Sequence, residues 1–124
     1  MKARAAAYWI CTVLVALANL AGGVVDVMRS PQMVAGMAHL GYPAYFMLIL
    51  GVWKILGGVA ILVPGLRLVK EWAYAGMMFD LTGASASHLA SGDDLGHILT
   101  PLAIAVVVVA SWALRPESRR LPRV

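Results

Sequence analysis

Four stretches of the chain are apolar over roughly the 20 residues that a membrane-spanning helix needs. They cover about 5–27, 44–63, 70–90 and 98–114. Short segments that contain polar residues, proline and glycine separate them, and Pro64-Gly65 ends the second stretch. This pattern predicts an all-α fold in which residues 1–124 form a single domain, an up-down-up-down bundle of four transmembrane helices.

The amino-acid composition also indicates a membrane environment. Of the 124 residues, 61% are hydrophobic and 13% are charged, and the mean hydropathy is +0.82. A soluble domain is typically about half apolar and about a quarter charged, so we expect the lipid bilayer to surround this chain. The single cysteine, Cys11, lies in an apolar stretch and is interpreted as a packing residue. The sequence therefore predicts neither a disulfide nor a metal site.

Basic residues gather on one side of the predicted spans. Eight of the ten lysines and arginines flank the spans on the side of the termini: Lys2, Arg4, Arg67, Lys70, Arg115, Arg119, Arg120 and Arg123. The opposite side has Arg29 and the acidic pair Asp93-Asp94. The positive-inside rule then places both termini in the cytoplasm and predicts a multi-pass protein of the bacterial cytoplasmic membrane. Because topology explains the net charge of +4, no nucleic-acid partner is predicted.

Two ionisable residues lie deep inside predicted spans. Lys54 is ten residues into the second span and Asp80 is ten residues into the third, so antiparallel spans bring them to the same depth. An ionised side chain at the bilayer centre costs roughly 2.5–3.5 kcal/mol, which favours an ion pair. Small residues share the two helix faces: Gly51 and Gly58 on the second span, Gly76 and Gly83 on the third. We expect these faces to meet closely.

Further polar residues suggest a pocket around this pair that opens to the outer side. Lys54, Asp80 and His88 are assigned as candidate catalytic residues. The candidate ligand-binding residues are Asn19, Asp26, Ser87 and Trp53. Two alternatives stay open: the Lys54–Asp80 pair only holds helices in register, and Asp26 and His88 are ordinary interfacial residues.

The remaining polar and aromatic residues are interpreted without chemistry. His39 and His97 are expected to be solvated, and Glu71 is expected to complement the dipole of the third helix. The fourth span has no ionisable residue in its interior and is expected to form a wall of the pocket, while its Val106–Val109 run faces lipid or a second copy in a homodimer. Aromatic residues near span ends predict an interfacial belt: Tyr8, Trp9, Tyr42, Tyr45, Trp72, Tyr74 and Trp112.

Several motifs between about residues 22 and 111 form a set that is specific when taken together. They are Gly22-Gly23 with Asp26, Leu40-Gly41-Tyr42-Pro43, Gly51-Val52-Trp53-Lys54 with Gly57, Lys70-Glu71-Trp72-Ala73-Tyr74-Ala75-Gly76 with Asp80, and Gly83-Ala84 with His88. On these motifs the chain resembles the DoxX-like family of small four-helix membrane proteins. The resemblance implies a membrane bundle and, through the wider DoxX group, association with membrane redox complexes such as thiosulfate–quinone oxidoreductase.

Three hypotheses for the function follow. In the first, the chain is an accessory subunit of a membrane redox system that binds a small lipophilic, quinone-like molecule; a partner supplies the electrons, because no cofactor motif is recognisable. In the second, it is a cofactor-free membrane enzyme, of isomerase or epoxide-opening type, that uses acid–base chemistry. In the third, it is a small proton-coupled transporter. A dithiol cycle is not expected of a chain whose only cysteine is Cys11.

Overall fold

The computed structural model describes residues 2–123 and contains no strand within them. Its α-helices are α1 (Lys2–Met28), α2 (Pro31–His39), α3 (Ala44–Leu62), α4 (Arg67–Ala90) and α5 (Leu95–Ala113), followed by a 3-10 turn at Glu117–Arg119. The predicted all-α class is confirmed. The long helices α1, α3, α4 and α5 correspond to the four predicted stretches, although α1, α4 and α5 begin earlier than predicted.

The short helix α2 was not predicted, although the sequence carries a signal for it. Ser30 precedes the helix and its hydroxyl accepts a hydrogen bond from the backbone N–H of Met33, at 3.4 Å. Pro31 occupies the first turn, where its missing N–H costs nothing. A serine followed by proline is therefore a regular helix start. Helix α2 lies in the short segment that was expected to separate the first two spans.

Within residues 2–123, three helices are long and apolar enough to cross a membrane: α1, α3 and α5. Helix α4 is long enough, at 24 residues, but it carries more charge. Its charged residues are Arg67, Lys70, Glu71 and Asp80. The chain is thus a membrane protein by its apolar helices, and the number of spans stays a prediction.

The closest packing joins α1 to α3. A Cβ atom added at Gly23 would lie 2.7 Å from the carbonyl oxygen of Gly51, and one added at Gly51 would lie 2.7 Å from that of Gly23. Two turns further along α3, Gly58 lies against Leu20, which is about one turn before Gly23 on α1. The pairing of 23 with 51 and of 20 with 58 means that the two helices run antiparallel. Small residues allow this approach of backbone to backbone.

Helix α4 does not approach α3 in the same way, and the prediction of close contact between their glycine faces is wrong. Gly51 and Gly58 of α3 face α1 instead. A Cβ atom added at Gly76 or Gly83 of α4 would meet no other atom within 4 Å. The reason is geometric: α1 already fills the space beside Gly51 and Gly58, so α4 packs at a distance from these two glycines.

The long helices share one apolar core. Its buried members are Val15, Ala16, Ile61, Tyr74, Met77 and Val108. A buried polar chain runs beside it, in which the Ser111 hydroxyl lies 2.6 Å from that of Thr12 and 2.8 Å from that of Tyr74. Helix α5 therefore contributes polar contacts to the interior. It does not form a wall of the pocket around Lys54 and Asp80, as was expected, because the described residues that line the cavity there belong to α1, α3 and α4. Of its valine run, Val108 is fully buried and Val106 is 69% exposed.

At the end of the molecule where the termini lie, several residues predicted to be interfacial are buried. Tyr8 and Tyr74 are only 1% and 3% exposed, so they do not belong to an aromatic belt. Lys70 is 1% exposed and donates hydrogen bonds to the carbonyls of Val63 and Gly65. These carbonyls follow the last turn of α3, where helix geometry leaves acceptors unused.

The segment after α5 folds back onto the end of α3, next to the carbonyls that Lys70 contacts. Arg119 donates to the carbonyls of Ile61, at 2.9 Å, and Leu62, at 3.2 Å. Arg115 forms an ion pair with Glu71, whose other oxygen accepts a hydrogen bond from the Trp112 indole. Glu71 is therefore held by α5, besides any interaction with the dipole of α4. Part of the basic tail is structural, which a topology signal alone does not explain.

The contact between α1 and α3 can be tested with one methyl group. Gly51→Ala should destabilise the protein by about 1–3 kcal/mol, because the new methyl overlaps the backbone of α1. Gly83→Ala is the matched control: it has open space and should be neutral or mildly stabilising, since alanine is the better helix former. The measurement is the unfolding free energy in detergent. Equal stability of the two variants would contradict the packing described.

Candidate functional site

An open cavity of about 260 Å³ lies between α3 and α4 and is called the α3–α4 cavity here. It occupies the open space beside Gly76 of α4. Most of its lining is apolar. The lining residues that matter for its chemistry are Asn19 of α1, Trp53 and Lys54 of α3, and Trp72, Gly76 and Asp80 of α4. The cavity thus combines an apolar wall with one amide and two opposite charges.

Lys54 lies between two carboxylates from different helices. Its Nζ atom is 2.9 Å from Asp26 Oδ2 of α1 and 3.9 Å from Asp80 Oδ2 of α4. The Asp26 side chain is 9% exposed, whereas those of Lys54 and Asp80 are each 23% exposed. Asp26 is therefore the closer and more buried partner. Sequence reasoning ranked it below Asp80, because it lies near the end of its helix rather than at mid-span.

The charges in this cluster do not balance when every group is ionised. One lysine faces two carboxylates, so a single negative charge is in excess. The Asp26–Lys54 contact is short, but Asp26 Oδ2 lacks a hydrogen bond with regular geometry. A buried oxygen with unused acceptor capacity can take a further donor. The cluster can accordingly accept a proton or a hydrogen bond without new charged groups.

The rim of the cavity is made of large apolar side chains. Trp53 is 68% exposed and Trp72 is 64% exposed, and Leu56 beside them is 53% exposed. Asn19 donates its amide N–H to the carbonyl of Val15, at 3.0 Å, which leaves its side-chain oxygen as an acceptor. Two largely exposed tryptophans therefore border this open cavity. Such a border suits a ligand that arrives from an apolar phase.

The seven predicted site residues do not share one pocket. Asn19, Trp53, Lys54 and Asp80 line the cavity, and Asp26 contacts Lys54. Ser87 and His88 do not line it. They are seven and eight residues beyond Asp80 on α4, which is a rise of about 10–12 Å along a helix, so they belong to the end of the bundle that carries the α4–α5 loop.

Ser87 and His88 take part in a separate polar cluster at that end. The Ser87 hydroxyl lies 2.6 Å from that of Tyr42. Asp93 bridges two histidines, with His88 Nδ1 and His39 Nε2 each 2.6 Å from its oxygens. These hydrogen bonds, first that of His88 and then that of His39, hold the pKa of Asp93 below its usual value.

His39 and His97 are largely solvated but not without partners. Their side chains are 56% and 63% exposed, and the Nδ1 atom of His97 lies 2.5 Å from Asp94. This hydrogen bond lowers the pKa of Asp94. Over residues 2–123, no group of three His, Cys, Asp or Glu side chains is placed to hold a metal ion.

One protein-family model matches most of the chain. The model described as the DoxX-like family matches residues 10–111, a range that contains all seven predicted site residues. The resemblance seen in the sequence is thereby confirmed. No curated protein and no solved structure was found to match the chain.

Because Asp26 and Asp80 lie at different distances from Lys54, their coupling energies with Lys54 should differ in a predictable order. Lys54→Met should cost about 3–5 kcal/mol of unfolding free energy, the usual penalty for breaking a buried ion pair. In double-mutant cycles, the coupling of Lys54 with Asp26 should exceed its coupling with Asp80, because Asp26 is 1 Å closer (2.9 against 3.9 Å) and better shielded.

The cycles would use Lys54→Met with Asp26→Asn and with Asp80→Asn, which keep side-chain size. Unfolding in mixed detergent micelles provides the free energies. A stronger coupling to Asp80 than to Asp26 would contradict the arrangement described.

Proposed function

The chain belongs to the DoxX-like family, and on that premise we propose that it is an accessory subunit of a membrane redox system. In this proposal the α3–α4 cavity binds a small lipophilic, quinone-like molecule, and a partner protein supplies the electrons. The observation that carries the proposal is the position of Lys54 and Asp80 in an otherwise apolar cavity that opens between helices.

The proposal includes a membrane topology. All four long helices cross the bacterial cytoplasmic membrane as an up-down-up-down bundle with cytoplasmic termini, and α4 crosses although it is the least apolar. Supporting this, Asp80 lies beside Lys54 and the rest of the charge on α4 is close to its start. A charged residue within a span is tolerated when it faces a partner inside the bundle.

The cavity is suited to the polar head of such a ligand. Binding pockets for whole drug-sized molecules hold about 300–1,000 Å³, and the α3–α4 cavity holds about 260 Å³. A head group would fill it, and an apolar tail would leave between Trp53 and Trp72 into the bilayer. The ammonium group of Lys54 would donate a hydrogen bond to a carbonyl oxygen of the ligand.

Proton transfer is the second task that the residues support. Reduction of a quinone to a quinol takes up two electrons and two protons. Asp80 lies in the cavity and can pass a proton to a ligand oxygen, while Lys54 links it to Asp26, which can hold another. Lys54 and Asp80 are thus the proposed catalytic residues, and Asn19 and Trp53 bind the ligand. Ser87 and His88, outside the cavity, have no direct role in this proposal.

One observation favours the alternative of a cofactor-free enzyme. A carboxylate and an ammonium group about 4 Å apart in an apolar cavity can act as base and acid on one substrate. Turnover of a lipophilic epoxide by the purified chain, with no partner and no reductant, would favour this reading. A homodimer stays a prediction, for which α5 offers the exposed Val106 and Val109.

The topology is tested by labelling. In a variant without Cys11, a cysteine that replaces Asp94 should react with a membrane-impermeant maleimide added from outside intact cells or spheroplasts. One that replaces Ser118 should react only after the membrane is opened, because the basic end faces the cytoplasm. The reverse pattern would contradict the orientation, and equal labelling of both positions from one side would contradict the crossing of α5.

Ligand binding is tested by filling the cavity. The probe is a short-chain ubiquinone, and the readout is quenching of tryptophan fluorescence, since Trp53 and Trp72 border the cavity. Gly76→Leu should weaken binding about tenfold or more, because the new side chain occupies the cavity. Gly83→Leu is the control: it has equally open surroundings on the same helix but does not line the cavity.

Both leucine variants should remain as stable as the parent protein, so a change in binding would not reflect unfolding. Unchanged affinity in Gly76→Leu would count against the α3–α4 cavity as the binding site. Equal losses in Gly76→Leu and Gly83→Leu would also count against it.

A further inference from the structure

A second cavity, of about 440 Å³, lies at the end of the molecule where the termini are. It is called the arginine cavity here, because three of its lining residues are Arg67, Arg120 and Arg123. Glu117 also lines it, but the Glu117 side chain is 96% exposed. The cavity therefore carries an excess of positive charge, and it is separate from the α3–α4 cavity.

The arginines of this cavity differ from the other basic residues at the same end. Lys70, Arg115 and Arg119 are buried and bound to carbonyls or to Glu71. Arg67 uses its Nε–H on the carbonyl of Ser118, at 3.1 Å, which fixes the position of its guanidinium group. Arg120 is 4.0 Å from Glu117, a loose contact. Guanidinium groups are well suited to phosphate oxygens, which they bind through two parallel hydrogen bonds.

The surroundings of the cavity favour a lipid over a free anion. Arg67 is the first residue of α4, so it lies where that helix begins. Exposed leucines lie on either side of Arg67 in the chain, since Leu66 is 56% exposed and Leu68 is 49% exposed. Leu121, which lines the cavity, is 44% exposed. A phosphate that sits among the arginines can thus keep acyl chains against apolar side chains.

We propose that the arginine cavity binds the phosphate group of an anionic phospholipid from the cytoplasmic leaflet. Basic pockets at the cytoplasmic ends of membrane helices are typical sites for such head groups. The site goes beyond the proposed function: its leaflet rests on the proposed topology, but it does not depend on whether the α3–α4 cavity binds a quinone. Its role is to attach the segment 114–123 and the start of α4 to the membrane surface.

The test compares phosphatidylglycerol, phosphatidylcholine and inorganic phosphate as ligands of the detergent-purified full chain, with bound lipid measured by native mass spectrometry. Phosphatidylglycerol should bind, and phosphatidylcholine should bind at least tenfold more weakly. Inorganic phosphate at the same concentration should not displace the lipid. Equal binding of the two lipids, or full displacement by inorganic phosphate, would overturn the assignment to an anionic lipid.

The matched variants remove the same charge at two places. Arg120→Gln with Arg123→Gln should weaken phosphatidylglycerol binding about thirtyfold, from the usual strength of a basic residue at an anionic membrane surface. Lys2→Gln with Arg29→Gln removes two charges from positions that do not line the cavity, and should leave binding within about threefold.

Equal losses in the two double variants would mean that only net charge matters, and would overturn the site. Circular dichroism and gel filtration establish that both variants are folded. If the first double variant is misfolded, Arg123→Gln alone replaces it, since Arg123 lies in an exposed part of the tail. This variant should weaken phosphatidylglycerol binding about fivefold, and a loss no greater than that of the control variant would overturn the site.

Discussion

A lysine at mid-span in an apolar helix bundle has to be neutralised, and three helices meet around Lys54. Lys54 of α3 reaches Asp26 of α1 at 2.9 Å and Asp80 of α4 at 3.9 Å. Backbone packing fixes only one of these neighbours, since the glycine contacts hold α1 directly against α3. The Lys54–Asp80 contact bridges α3 and α4 beside the cavity between them. The ion cluster and the cavity are in this sense the same feature.

This arrangement changes the meaning of the ion pair that the sequence indicates. If Lys54 had Asp80 as its sole partner, removing both residues would restore a neutral interior. With Asp26 present, removing Lys54 and Asp80 leaves a carboxylate that is 9% exposed and has lost its only close cation within the described chain. Structural and functional roles cannot be separated by that pair alone. They separate only when the charge on Asp26 is removed as well, for example by Asp26→Asn.

Helix positions and the approach of Lys54 to Asp80 could be predicted from the sequence, because both depend on apolar length and on the fixed rise of a helix. The sequence could not predict which neighbouring helix each helix face packs against. The stripe of Gly51 and Gly58 was assigned to α4, but it packs against α1, and periodicity cannot tell which neighbour a small face meets. The same limit explains why Ser87 and His88 were placed in the pocket: they share a face with Asp80 but lie two turns away along α4.

Counting basic residues gives an orientation but hides what each residue does. At the end that carries the termini, Arg119 and Lys70 satisfy carbonyls at the end of α3, where Pro64 prevents the helix from continuing. A carbonyl left without a donor in an apolar surrounding costs several kcal/mol, so these two cations are needed by the fold whatever the membrane potential or lipid charge. Arg67, Arg120 and Arg123 instead surround open space. A positive-inside bias in a small bundle can thus contain two populations: buried cations that cap helix ends, and exposed ones that remain available to the membrane surface.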